Sequence, residues 1–281
     1  MASLQRGIAV PNFATDPADL IELGVAAERA GFDGYFLWHH IVFSNIGDGP
    51  TIVDPWVVLS VVAARTSRIR IGTVVTPVPR RRPWQLARTT TTLDRLSNGR
   101  LVLGVGIGSP AYGDFGIFHE ASGDRERAAL LDEGLDVLAG LWSGEPFSYS
   151  GKQFTVDTVR FTPVPMQQPR IPVWVAGVLP APRPIARAAR WDGFVPIRFD
   201  SGGLVRPSPA DIAEVTGQIT ALRGSGEGYD MVVWAEVASE PAAVPELARP
   251  YVGAGANWWI ETAKPGPGWW EGVQARVAAG P

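Results

Sequence analysis

The chain has 281 residues, of which 46% are hydrophobic, with no cysteine and a formal charge of −3. Disulfides, thiolate nucleophiles and cysteine metal sites are therefore excluded, and the charge argues against nucleic acid, which needs a basic face. No apolar run approaches the roughly 18 to 20 residues that cross a bilayer, and MASLQRGIAVPNF reads as no export signal, so a cytoplasmic protein without a membrane partner is expected.

Eight short, β-branched or apolar runs follow in chain order: Arg6 to Val10, Asp33 to Leu37, Ile69 to Val75, Leu101 to Val105, Pro172 to Ala176, Gly193 to Ile197, Tyr229 to Ala235 and Ala256 to Glu261. Helix signals stand between them. Asp16-Pro17, Asp54-Pro55 and Ser208-Pro209 each set an N-cap before a proline at the first helical position. Leu131, Leu135, Leu138 and Trp142 give the fourth helix one apolar face. The fifth helix, Pro184 to Ala189, is short, and Pro-led segments after Glu240 and Pro267 supply the last two. From Arg68 to Ser109 the pattern is one full strand, helix and strand, and such crossovers build parallel sheets. Eight repeats with no second compositional block predict a single α/β domain over 1–281, a closed (β/α)8 TIM barrel. Residues 143–170 are too long for a turn between helix 4 and strand 5. They predict a small β excursion, with runs at Phe147 to Tyr149, Phe154 to Val156 and Val159 to Phe161, returning through Pro163, Pro165, Pro169 and Pro172.

Barrel chemistry sits where the strands end. That rule gathers Asn12, Phe13, His39, His40, Thr73 to Thr76, Gly106 to Ser109, Gly177, Arg198, Glu236 and Glu261 at one mouth. Neighbouring strand residues point to opposite sides, so His39 and His40 do not share a metal, and no metal site is expected. A histidine there suits proton transfer near neutral pH. Gly104, Gly106 and Gly108 are spaced G-x-G-x-G with Pro110 following, which is not the dinucleotide signature, but rim glycines let a flat ring approach. Arg80 to Arg82 read as a solvated charge run. Arg183 and Arg187 flank the fifth helix, where barrels often bind phosphate. Glu236 and Glu261 are read as a base or as partners of arginine, and Trp258 and Trp259 as packing.

GFDGYFLWHH (31–40), DPW (54–56), RIRIGTVVTP (68–77), RPWQLARTTTTLDRLSNGRLVLGVGIGS (82–109), LDEGLDVLAGLWSGEPFSYSGKQF (131–154), PRIPVWVAG (169–177) and AARWDG (188–193) together resemble the bacterial luciferase-like superfamily of flavin- and deazaflavin-dependent oxidoreductases. The resemblance implies a coenzyme ring lying across the strand ends. It implies a bulge in the third strand with a non-prolyl cis peptide at Thr73-Val74 and Thr76 near the ring. Thr73, Val74, Thr76, Gly106, Gly108, Ala176, Gly177 and Arg183 are thereby the expected coenzyme contacts, and His40 with His39 the expected catalytic pair. Many relatives have Asp-His where this chain has His39-His40, so His40 keeps the family position, and VLPAPRP after Gly177 replaces a short serine-containing turn.

The leading expectation is a luciferase-like monooxygenase using reduced FMN and dioxygen on a small organic substrate, supplied by a separate flavin reductase. The alternatives are hydride transfer with the deazaflavin coenzyme F-420 and a non-catalytic barrel without cofactor. A homodimer is in keeping with the family. The loops 41–51, 110–122 and 199–206 carry no motif that names a substrate.

Overall fold

A computed structural model describes residues 4–14, 16–43, 50–201, 203–238 and 240–281, so part of the 41–51 loop (44–49) and Gly202 in the 199–206 loop lie outside the described residues. The first half of the chain runs β1 (Gln5–Val10), α1 (Pro17–Ala30), β2 (Gly34–Leu37), α2 (Pro55–Arg65), β3 (Arg70–Pro77), α3 (Pro83–Leu96), β4 (Leu101–Gly106) and α4 (Asp124–Trp142). After a hairpin of β5 (Pro146–Ser150) and β6 (Thr155–Arg160) come β7 (Val173–Val178), α5 (Pro182–Ala188), β8 (Gly193–Asp200), β9 (Gly203–Val205), α6 (Pro209–Arg223), β10 (Asp230–Glu236), α7 (Val244–Gly253), β11 (Trp258–Thr262) and α8 (Trp269–Ala278).

The caps form as their residue types dictate. Asp16 accepts from the Ala18 amide, Asp54 from those of Trp56 and Val57, and Ser208 with Asp211 makes a reciprocal box. All neighbouring barrel strands pair in parallel, in the order β1, β2, β3, β4, β7, β8, β10, β11, and β11 returns to β1 through Gln5 opposite Trp258. The (β/α)8 barrel expected from the alternation is closed.

Two layers of apolar side chains hold it. Inside, Phe36, Trp174 and Trp258 pack ring to ring with centroids 5.0 to 5.9 Å apart, together with Val74, Val102, Val195 and Val232. Outside, the strands face the helices, and Trp259 points there against Tyr251. Alternation also sends Glu261 outward. It is fully buried between Arg6 (3.0 Å) and Arg276 (2.6 Å) and accepts from the Ala238 amide. Glu236 is exposed, 3.7 Å from Lys264. Held by both arginines, Glu261 is locked in the wall as their partner and is no base at the mouth.

β3 and β4 approach closely enough to need glycine. A Cβ on Gly104 would stand 2.2 Å from the Thr73 carbonyl oxygen. A carbonyl in a strand cannot rotate aside, so Gly104→Ala is expected to cost at least about 1–3 kcal/mol, read as a lowered midpoint in thermal denaturation followed by circular dichroism. Next to this contact the β3–β4 register slips between Thr73 and Thr76. The cis peptide joins Val74 to Val75, one residue beyond the expected Thr73-Val74.

The excursion differs from its expected three runs. β6 is one continuous strand because Phe147 pairs Val159 and Tyr149 pairs Val156 across a single antiparallel ladder. The segment 199–206, expected as a loop, contains β9, which folds back on the end of β8 with Arg198 opposite Val205. Side-chain carboxylates fasten three connections. Glu28 accepts from the amides of Ser67, Arg68 and Ile69, Glu133 from those of Lys152, Gln153 and Phe154, and Asp94 from those of Met166 and Gln167.

Candidate active site

The chain leaves β2 still extended, so Trp38, His39 and His40 alternate in direction. Trp38 faces the barrel axis and donates from Nε1 to Thr262 Oγ1 at 3.3 Å. The His39 ring is turned the other way, buried against Trp56 of α2. Its Nε2 meets the Arg81 guanidinium, which can only donate, so that nitrogen is the acceptor. Nδ1 then carries the proton and donates to Thr76 Oγ1 at 3.0 Å. Thr76 donates to Thr73 Oγ1 at 2.7 Å, and Thr73 points on to the Gly104 carbonyl at 3.4 Å. Thr73 and Thr76 thus spend their hydroxyls on a buried relay, and His39 belongs to the wall behind the site.

Burial, the charges of Arg81 and Arg80, and His40 hold the His39 pKa well below 6.5. The unfolded chain takes up a proton near pH 6.5 that the folded chain refuses. This contribution to stability is intact above that pH and is lost as pH falls below it. Wild type is therefore expected to lose up to about 1.4 kcal/mol per pH unit between pH 6.5 and 5.5 relative to His39→Gln. Parallel melting-versus-pH curves for the two proteins would contradict the assignment.

His40 turns to the mouth. Its ring stands among Phe13, Trp38, Phe43 and Tyr112 at centroid distances of 4.9 to 6.1 Å. Asn12, at the end of β1, fixes the backbone beneath it by donating to the His40 and Val53 carbonyls and accepting from the His40 amide. His40 Nδ1 lies 2.7 Å from Asp114 Oδ2. Asp114 also accepts from the amides of Ile41 and Val42, and its Oδ1 is 2.6 Å from Arg80 Nη1. Burial alone would raise this carboxyl. The hydrogen bonds from His40 and the Ile41 amide, with the charges of Arg80 and His40, outweigh burial and hold it at about 2. An ionised carboxylate only accepts, so a proton on Nδ1 faces Asp114, and a ring carrying that proton alone presents a lone pair at Nε2. Among the described residues nothing bonds to Nε2.

Asp114 escaped sequence reasoning because it lies in the motif-free stretch 110–122. The arginine run is corrected too. A 3-10 turn at Val78–Arg80 swings the chain back at the end of β3, so Arg80 is buried on Asp114 and Arg81 reaches His39, while Arg82 alone is exposed. Arg183 is exposed in the first turn of α5. Arg187 is held in a two-point pair with Asp132 at 2.5 and 2.9 Å, which removes it from a phosphate role.

The remaining expected residues divide by direction. Val74 is sealed in the barrel core. Val75, Ala176 and Trp234 lie half-buried on top of that core, and Gly106 sits between Val75 and Ala176, where a Cβ would come within 3.1 and 3.8 Å of their side chains. Val75, Gly106 and Ala176 stand on β3, β4 and β7, which lie in the sheet between β2, which leads to Trp38, and β10, which carries Trp234. Gly108 has a left-handed φ of 74°, with Phe115 closing over it. Gly177 faces outward onto Pro184 and Phe194, so only its backbone reaches the rim.

A family model described as luciferase-like monooxygenase matches residues 3–218. The F420-dependent glucose-6-phosphate dehydrogenase of Nakamurella multipartita is 32% identical over 181 residues, 64% of this chain and 52% of that one. The chain spans about half the length of the curated relatives it matches. Among solved structures, the coenzyme F420 dependent tetrahydromethanopterin reductase from Methanopyrus kandleri has a TM-score of 0.79 at 17% identity over 99% of both chains. A monooxygenase from Streptomyces bottropensis has 0.71 at 20%, over 97% of this chain and 96% of that one. These structural likenesses show the fold.

Proposed function

The chain belongs to the luciferase-like monooxygenase family, and from that premise we propose that it is an oxidoreductase working with a deazaflavin of the F-420 type. The observation that carries this reading over the expected FMN is the identity of about a third, across 64% of the chain, with a dehydrogenase named for F420 dependence.

The residues fit such a group. Gly106, without a side chain between half-buried Val75 and Ala176, would let a flat ring approach the strand backbone there. Gly108 and the Gly177 backbone would line its edge, and Arg183 would meet a phosphate. When bound, a deazaflavin supplies two-electron hydride transfer, and the carbon in place of N5 blocks oxygen chemistry. His40 Nε2 takes the hydroxyl proton of an alcohol being oxidised, or returns it to a carbonyl being reduced. Asp114 fixes the tautomer and offsets the charge His40 gains, and Arg80 keeps Asp114 ionised. A hydride carrier is restored by any reaction of opposite sense, so this reading replaces a dedicated flavin reductase with a second oxidoreductase.

The test is a side-by-side fluorescence titration of the purified protein with F-420 and FMN. The deazaflavin is expected to bind at least about tenfold tighter, a difference of about 1.4 kcal/mol. Preference for FMN, or affinity for neither, would overturn the reading.

A further inference from the structure

Arg127 is a buried arginine in the first turn of α4, a place unfavourable to it on two counts. A cation there stands at the positive end of the helix dipole, and burial strips away its water. Three contacts offset that cost. The guanidinium donates to the Ser122 carbonyl, pairs with Asp124 at 2.6 Å and lies over the Phe115 ring, 5.1 Å from its centroid. The Asp124 side chain is exposed and can be solvated without the arginine, whereas Phe115 is fully buried.

The same ring is met by Arg80, whose guanidinium is 5.9 Å from its centroid. Phe115 is thus shared by two buried cations. Arg80 in turn is gripped by two adjacent residues, by Asp114 through the carboxylate at 2.6 Å and by Phe115 through the ring.

The segment that carries them is tied to its surroundings mainly by side chains. Its backbone bonds are turns made within it, in which the amides of Gly113, Ile117, His119 and Glu120 donate to the carbonyls of Pro110, Gly113, Gly116 and Phe115. Tyr112 stacks on Phe43, and Asp114 binds His40, Ile41 and Val42, so both join it to the chain that follows β2. Phe115 joins it to the barrel and its helices. The ring closes over Gly108 after β4, where a Cβ would come within 2.7 Å of it, and also meets Arg127 of α4. Immediately beyond, Gly116 to Glu120 are exposed.

We propose that Arg127 and Phe115 are positioning residues for His40: the Phe115 ring, clamped by the Arg127 guanidinium, seats Asp114 and so holds the His40 ring with its Nδ1 proton toward the carboxylate. Both act through Asp114 rather than on a reacting atom. Their part in a reaction rests on the redox reading above; their hold on His40 does not.

The chain has three histidines, so the ring nitrogens can be followed one by one. Protein labelled with 15N at histidine and free of coenzyme is measured by long-range 1H–15N NMR at a pH where the rings are neutral, with His39→Gln and His119→Gln assigning the signals. Wild-type His40 is expected to carry its proton on Nδ1. Arg127→Met keeps the length of the side chain and leaves no buried partner uncompensated. It is expected to lower the ratio of the Nδ1–H to the Nε2–H form at least about threefold, part of the tenfold or more that a hydrogen bond to a charged group contributes. Phe115→Leu is expected to do the same, and the two together to do no more than the stronger alone, because they act as one unit. Arg125→Leu removes an equal charge from an exposed position in the same turn and is expected to leave the ratio unchanged. An arginine with a purely structural role would lower the thermal midpoint and leave the ratio where it was. Should Arg127→Met fail to fold by circular dichroism, Phe115→Leu carries the expectation. The proposal is overturned if the wild-type proton is on Nε2, if the folded variants keep the wild-type ratio, if the two losses add, or if Arg125→Leu gives the same shift. Failure to bind F-420 would overturn the redox reading alone.

Discussion

His40→Ala is expected to lower turnover by about 10²–10⁴-fold while leaving deazaflavin affinity within about threefold, because removing a positioned proton acceptor costs the chemical step more than it costs binding. The effect is large because the other strand-end acid and base residues among those described are placed differently. Glu236 is out in solvent, Glu261 is locked between arginines, His39 is turned into the wall and Asp114 is committed to four donors. Asp114→Asn separates acceptance from positioning. An amide in that place would let His40 adopt the other tautomer and would leave Arg80 without its counter-charge, so kcat should fall and KM should move little. Steady-state kinetics with F-420, alongside fluorescence titration of each variant, distinguish these outcomes. A His40→Ala enzyme with wild-type kcat would remove His40 from the reaction.

Glu261→Gln is expected to cost about 3–5 kcal/mol of stability, since breaking one partner of a buried charge cluster leaves the others uncompensated. Arg276 is nearly inaccessible to water and gives two of its nitrogens to Glu261, at 2.8 and 2.6 Å, while Arg6 contributes a third contact at 3.0 Å. In a chain of this size the loss should lower the thermal midpoint by roughly 10 °C. Burial would raise the Glu261 carboxyl, but the hydrogen bonds from Arg276 and the Ala238 amide lower it below 4.5. Its contribution is therefore present above about pH 4.5 and disappears as pH falls through the depressed native value. The cluster closes the barrel seam, because Arg6 is on β1 and Glu261 on β11, with α8 clamped over both through Arg276. A midpoint within 2 °C of wild type, allowing about 2–4 °C per kcal/mol, would show that the seam is held by apolar packing instead.

The barrel was legible in the sequence because its signals are local. Asp16-Pro17, Asp54-Pro55 and Ser208-Pro209 each carry a donor shortage and its remedy in adjacent residues, and the strands are buried on both faces. The site was legible only as far as strand ends locate it. Position placed His40 at the mouth, whereas His39, expected beside it as one of a catalytic pair, is turned into the wall. Asp114 was not legible, since what sets it apart is convergence of His40, Arg80 and two amides from segments 34 to 74 residues away. Arg80 and Arg81 were misread because a charge run normally stays in water, and only the turn after Pro77 puts them in the wall. The β6 and β9 strands depend on partners across a ladder, which short apolar runs alone do not reveal. Family resemblance put FMN first and F-420 second, the reverse of the order the named relatives favour, and placed the cis bond one residue early.

Glu28, Asp94 and Glu133 do for three connections what a neighbouring strand does for a sheet, each offering oxygen atoms to successive amides. None of these ties draws on a residue from the catalytic rim. The architecture is accordingly laced from beneath and from its flank, so the loops above can be rewritten for a different guest without unpicking the scaffold that presents them.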